Sequence, residues 1–276
     1  MKRIFLPSLM LLGALLLFNS CKKEAQDTET TSATDNTICE SEFMRVMPNV
    51  NHFGISEPGV QRLANGGGQE VLWNAGCATV TISQANQFPV TMTVDYGTTG
   101  CVDSVDGKTR TGQIIIVFDT AFNHVGAQMT VTFQDYKVNG IKFEGTTTIT
   151  RTGQYTFNQT TVDGKCTGSA NNWTILWNCS RDFEWIAGQS QTGNNATDDV
   201  LKISGGGGGT DRNGRTFTVN ITKPIIKSMG CRWIQEGTFE LTPDGKPTRT
   251  VDFGNNQCDN KATITIEGNT FEFTMN

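Results

Sequence analysis

Histidine is nearly missing from this chain of 276 residues, which holds only His52 and His124. Nucleophilic catalysis of the Ser-His-Asp or Cys-His kind needs such a base beside its nucleophile, and no nucleophile motif flanks either one. His52 falls in an N-terminal helical region and His124 in the loop "FDTAFNHVGAQ", where a surface histidine is the expected reading. Metal-knuckle spacing is missing too. No two of the 8 cysteines stand two to four residues apart, which removes the usual thiolate zinc site. Clustered positive charge is also lacking: 22 basic residues against 27 acidic give a formal net charge of −5, which speaks against a phosphate-backbone partner. Beyond the first residues no apolar run approaches membrane-spanning length. The expectation is a binding protein rather than an enzyme, with no catalytic residue, metal, cofactor or nucleic acid.

What is present begins at the N-terminus. In "MKRIFLPSLMLLGALLLFNSC", Lys2 and Arg3 precede an apolar run from Ile4 to Phe18, the layout of a secretion signal. Leu17 to Cys21 resembles the lipobox of bacterial lipoproteins. This predicts a signal over 1–20 and lipidation of Cys21, which anchors the protein to a membrane through its acyl chains. Loss of Lys2 and Arg3 leaves 20 basic residues against 27 acidic, a net charge of −7. The polar segment 21–37 cannot bury enough apolar surface to fold and reads as a flexible tether. Lys22-Lys23-Glu24 is similar to export signals of surface-displayed Bacteroidota lipoproteins, so outer-membrane anchoring with cell-surface exposure is expected.

Residues 38–276 read as a single all-β domain. Helical spacing is confined to "CESEFMRVMPNVNHF", where Phe43, Met44 and Met47 share a face and Pro48 ends the run. Later residues form runs of Thr, Val, Ile, Phe and Trp, punctuated by Asp-Gly or Asn-Gly at 106–107, 139–140, 163–164, 213–214 and 244–245. Such pairs favour tight antiparallel hairpins. Long hairpins predict a two-sheet sandwich or an open barrel, with one short N-terminal helix. In "WTILWNCSRDFEW" the odd positions Trp173, Ile175, Trp177, Cys179, Arg181, Phe183 and Trp185 share one face, which predicts a long half-buried strand. A turn at Asn139-Gly140 pairs Val138 with Ile141 and Tyr136 with Phe143, and it opposes Asp135 to Glu144 and Lys137 to Lys142.

An internal repeat is the most specific feature. "TMTVDYGTTGC" (91–101) aligns without gaps on "TRTVDFGNNQC" (248–258), and Gly-Cys pairs at 76–77 and 230–231 precede the two copies. A hairpin turning at Asp244-Gly245 sets Cys231 opposite Cys258, so a disulfide is predicted there and, by repetition, between Cys77 and Cys101. With Cys21 lipidated, Cys166–Cys179 is a third pair and Cys39 is left over.

"VDYGTTGCVDSVDGKTRTGQIIIVF", "YKVNGIKFEGTTTIT", "DRNGRTFTVNIT" and the stretch from Cys231 to Ile266 together resemble a family of β-rich Bacteroidota lipoproteins of unknown function. The resemblance implies the compartment and the all-β class and carries no catalytic residue.

Candidate ligand contacts are Trp73, Trp233, Asp95 and Asp252. The tryptophans could stack on sugar rings. The two aspartates hold equivalent places in the repeats and could form a glycosidase pair, although an Asp two residues before Gly usually closes a turn. Asp103 and Asp106 miss the calcium-loop spacing and read as turn residues. Asp103-Ser104-Val105 and Asp119-Thr120-Ala121 resemble short O-glycosylation acceptors. In "SGGGGGTDRNGR" (204–215), Gly206 to Asp211 fits the start of a calcium-binding nonapeptide. The repeat is single, so a hairpin is expected, with Gly208 opposite Phe217 and Gly206 opposite Val219. Three functions remain open: a lipid-anchored module binding a partner protein or extracellular glycan, a carboxylate-based glycan hydrolase, and a carrier of an apolar ligand in an open half-barrel.

Overall fold

The computed structural model describes residues 27–46, 78–83, 88–103, 106–121, 124–188 and 198–275. The leader with Cys21, and His52, Trp73, Cys77 and Ser104, lie outside them. Among the described residues the chain forms one helix, α1 (Thr31–Phe43), and fourteen strands. The first strands are β1 (Thr79–Ser83), β2 (Val90–Asp95), β3 (Cys101–Val102), β4 (Thr109–Phe118) and β5 (Gln128–Val138). Then follow β6 (Ile141–Arg151), β7 (Thr156–Thr167), β8 (Thr174–Ala187), β9 (Val200–Thr210) and β10 (Thr216–Ser228). The last are β11 (Glu236–Pro243), β12 (Arg249–Asn255), β13 (Lys261–Ile266) and β14 (Asn269–Thr274). Apart from the short β3, which pairs with β4, the strands lie in chain order, so the protein is a single antiparallel meander with β1 and β14 at its open ends. Of the two expected architectures, the open one is found.

One face of the sheet is buried. β8 alternates strictly, with Ile175, Trp177, Cys179, Arg181, Phe183 and Trp185 inward. What they face is α1, which packs on β7, β8, β9 and β11. If flat, the eight steps from β4 to β12 would cover roughly 40 Å at the usual strand spacing. A 13-residue helix is only about 20 Å long. Yet α1 and the residues just before it reach Arg110 of β4 and Arg249 of β12, so the sheet must curl around the helix as a half-barrel. Phe43 fills the centre, stacked on Trp177 at 5.2 Å and edge-on to Phe133 and Phe143.

The helix corrects two expectations. It begins at Thr31, twelve residues ahead of Phe43, and so takes in much of the segment read as a tether. The composition misleads because a helix enclosed on many sides needs no apolar stripe: Ser32, Asp35, Asn36, Glu40 and Glu42 are all buried against polar partners from the strands and the β9–β10 turn.

Registers agree near the turns and drift at bulges. Val138 pairs with Ile141 and Lys137 with Lys142 as expected, but a bulge then separates Asp135 from Glu144. Asp135 takes φ 49°, and Lys142 reaches Asp135 at 3.8 Å and Glu144 at 3.1 Å, relieving the like-charge opposition. Asp163-Gly164 is not a hairpin turn. It is a bulge inside β7, because Thr161 pairs with Cys179 and Gly164 with Trp177. The glycine run is the end of β9, one residue out of the expected register: Gly209 faces Phe217 and Gly207 faces Val219. A Cβ on Gly209 would strike the Leu176 carbonyl of β8, and one on Gly208 the Phe217 carbonyl of β10. Close approach of both neighbours therefore excludes side chains there, and the bare position at Gly209 lies in register with the Trp177 indole.

Candidate functional site

Most ion pairs that seat α1 join an acid of the helix region to an arginine of the sheet or its turns, with Lys108 and Lys246 adding to Glu42 and Asp27. Glu40 binds Arg181 at 2.8 Å, Glu42 binds Arg110 at 3.1 Å, and Asp27 and Glu29 bind Arg249 at 2.9 and 3.4 Å. Asp35 pairs with the Arg212 side chain and accepts its backbone N–H at 2.7 Å. Neutral contacts fill the gaps: Trp177 Nε1 donates to Asn36 Oδ1 at 2.9 Å, Gln159 Nε2 to the Phe43 carbonyl at 3.0 Å, and Ser32 Oγ to Asp211 at 2.6 Å. Arg110, Arg181 and Arg249 are wholly buried. Buried pairs of this kind set register more than they add stability, because desolvation offsets most of the attraction.

Beside the C-terminal turn of α1 this polar packing gives way to a cavity of about 110 Å³. Phe183, Leu201, Ile203, Phe239 and Phe253 form its walls, and Trp233 and Ile234, from the loop after β10, cover it. The Cys231–Cys258 disulfide, Cα–Cα 5.7 Å, pins that loop to the end of β12. Charged groups line the cavity as well, Arg45, Lys108, Lys227 and Arg232 with Glu40, Glu42 and Asp106, and the exposed Arg232 marks its mouth. Burial raises Glu42, but Arg110, Lys108 and Arg45 outweigh it and hold the carboxyl below its usual range. Burial likewise opposes the ionisation of Asp106, yet Arg110 and Arg45 bring it down to about 2. Lys227 Nζ donates to the carbonyls of Ser228, Cys231 and Trp233. Burial, with repulsion from Arg45 and Lys108, brings this amine down to about 8. A second cavity of about 230 Å³, lined by Ile38, Ile141, Phe143 and Phe273, shares Thr37, Ser41, Glu42, Lys108 and Arg232 with the first.

The candidate residues read from the sequence separate cleanly. Trp233 is at the cavity, with the Arg232 guanidinium 5.3 Å from its ring centre. Asp95 and Asp252 are not: Asp95 accepts the Gly97 N–H and Asp252 the Gly254 N–H, each at 2.7 Å. The two repeats thus build the same turn. Asp103 and Asp106 form more than a turn, since both bind Arg45 and Arg110. Asp211 closes its own turn to Asn213 and Arg215 with one oxygen and docks Ser32 with the other. Cys101 is disulfide-bonded to a partner outside the described residues. Cys166 and Cys179 are free thiols, as is Cys39. The register explains this, for Cys166 faces Ile175 and Cys179 faces Thr161 across the β7–β8 ladder. Burial pushes the Cys39 thiol well up, and the neighbouring Cys166 adds to the shift. His124 is exposed in a turn. Trp173 lies just before β8, half-buried, with the Arg212 guanidinium 4.5 Å over its ring.

The arginine seam was missed from the sequence, although Arg181 on the apolar face of β8 signalled it. The cavity left no such signal, because its walls come from strands far apart in the chain. No family model, curated protein or solved structure matches the chain.

Proposed function

We propose that this protein is a lipid-anchored envelope lipoprotein of the outer membrane whose half-barrel binds a small apolar ligand without transforming it. The observation that carries the ligand part is the cavity of about 110 Å³ with apolar walls beside α1. An apolar cavity of about 150 Å³ accepts one benzene, so the space suits a short chain or a single ring. A whole lipid would need α1 to leave, against its contacts to the three buried arginines Arg110, Arg181 and Arg249. The anchor part rests on the lipobox at Cys21. The hydrolase reading loses support, since Asp95 and Asp252 are each engaged by their own turns. Trp233 covers a cavity rather than offering an open platform, so small-ligand binding is favoured over glycan stacking.

The test is an NMR titration of the mature protein with hexanol. Shifts confined to residues around Leu201, Ile203 and Phe253, and lost in Ile234→Trp, are expected; no shift at these residues refutes the ligand site. Cys21→Ser should release the protein from the membrane fraction, and retention there refutes the anchor.

A further inference from the structure

We propose that the cavity selects a short-chain carboxylate, with its chain among Phe183, Leu201 and Ile203 and its anionic head at the mouth against Arg232 and Lys227. This deepens the ligand-site reading, and the two fail separately in the experiment below. Charge complementarity is the first ground. Four cations, Arg45, Lys108, Lys227 and Arg232, and three carboxylates, Glu40, Glu42 and Asp106, line the cavity. All three carboxylates are held elsewhere: Glu40 by Arg181, Glu42 by Lys108 and Arg110, and Asp106 by Arg45 and Arg110. Among the described residues no carboxylate lies within ion-pair distance of Lys227 or Arg232. The mouth therefore carries two positive charges without an ion-pair partner among the described residues, in a chain whose net charge is −5.

The second ground is what each cation can offer. Lys227 has its three donors fixed on the carbonyls of Ser228, Cys231 and Trp233. It therefore acts as a fixed charge beside the apolar chamber. Arg232 is exposed, rests on the Trp233 ring, and has no hydrogen-bond partner among the described residues. A guanidinium oriented by an aromatic face presents a planar fork that a carboxylate can accept at both oxygens. Arg232 also borders both cavities, at the point where a chain entering the first would leave its head. The disulfide to Cys258 holds the residue next to it, Cys231, which limits the entropy lost on ligand binding.

Hexanoate, hexanol and hexylamine share a chain and differ in head charge. Titrated into the mature protein below pH 8 and followed by NMR, hexanoate should bind about tenfold tighter than hexanol, the scale of one charge-assisted hydrogen bond. Hexylamine should bind most weakly. In Arg232→Gln/Lys227→Gln the hexanoate preference should fall to within about twofold of hexanol, whichever way hexanol binding itself moves. Arg232→Gln alone, at an exposed position, keeps the comparison valid if the double variant misfolds. Equal binding of hexanoate and hexanol to the native protein overturns the carboxylate assignment and leaves the ligand site standing. Failure of all three to bind overturns both.

Discussion

Arg181 shows how a single side chain fixes the docking of a whole element. It stands in the inward file of β8 between Cys179 and Phe183, wholly buried, and its charge is balanced by Glu40 on α1 at 2.8 Å. Removing one partner strands a charge in the interior, which typically costs about 3 to 5 kcal/mol, whereas replacing both by apolar residues is often neutral. Arg181→Leu and Glu40→Leu should each destabilise by that order in urea unfolding, and the double variant should recover most of the loss. Single variants costing under about 1 kcal/mol would show that the pair is not a lock. The period of two in β8 already placed Arg181 on the apolar face, so a buried acid partner was implied by the sequence. Its identity was not, because Glu40 lies 141 residues away and nothing local links them.

At the scale of elements, hairpin turns and strand periodicity were legible while bulges and the helix start were not. Asn139-Gly140 closed its hairpin in the expected register, yet the equally suggestive Asp163-Gly164 became a bulge, since both motifs supply a residue at positive φ and only longer-range pairing decides its use. Helix α1 was displaced toward the C-terminus in the sequence reading because an enclosed helix breaks the rule that one face is apolar. Its seating makes a prediction about motion. Cys39 on α1, Cys166 on β7 and Cys179 on β8 are all buried free thiols. Four arginine contacts, spread from β4 to β12, must break together for α1 to lift, so no partial opening should expose the first two alone. Thiol labelling of the native protein, corrected for intrinsic reactivity, should therefore modify all three together at the rate of global unfolding. Labelling of Cys39 and Cys166 ahead of Cys179 would mean that α1 leaves the half-barrel by itself.

For the molecule as a whole, three shifted groups give stability an unusual dependence on pH. Asp106, near 2 when folded and 3.8 otherwise, contributes stability that is complete above 3.8 and is lost as pH falls toward 2. Asp199 acts in the opposite sense. Burial, reinforced by the charge of Asp198, lifts it to about 7, so the folded state holds a proton between 3.8 and 7 that the unfolded chain has released. Stability must therefore fall as pH rises through that window. Lys227, near 8 when folded and 10.5 otherwise, is a buried cation below 8. Between 8 and 10.5 the unfolded chain keeps the proton that the folded state gives up, so stability rises again, by up to about 3 kcal/mol. Urea unfolding across pH should show a maximum near the acid end of the window, a minimum between 7 and 8, and recovery above 8. Asp199→Asn should flatten the descending limb and Lys227→Gln the ascending one, each without altering the other. A bound carboxylate at the mouth would favour charged Lys227, so saturating hexanoate should stabilise the folded state by the same amount between about 5 and 8, where carboxylate and amine are both charged, and progressively less above 8 as the amine loses its proton, flattening the ascending limb. An ascending limb that hexanoate leaves untouched would separate Lys227 from the ligand site and leave Arg232 as its sole anchor.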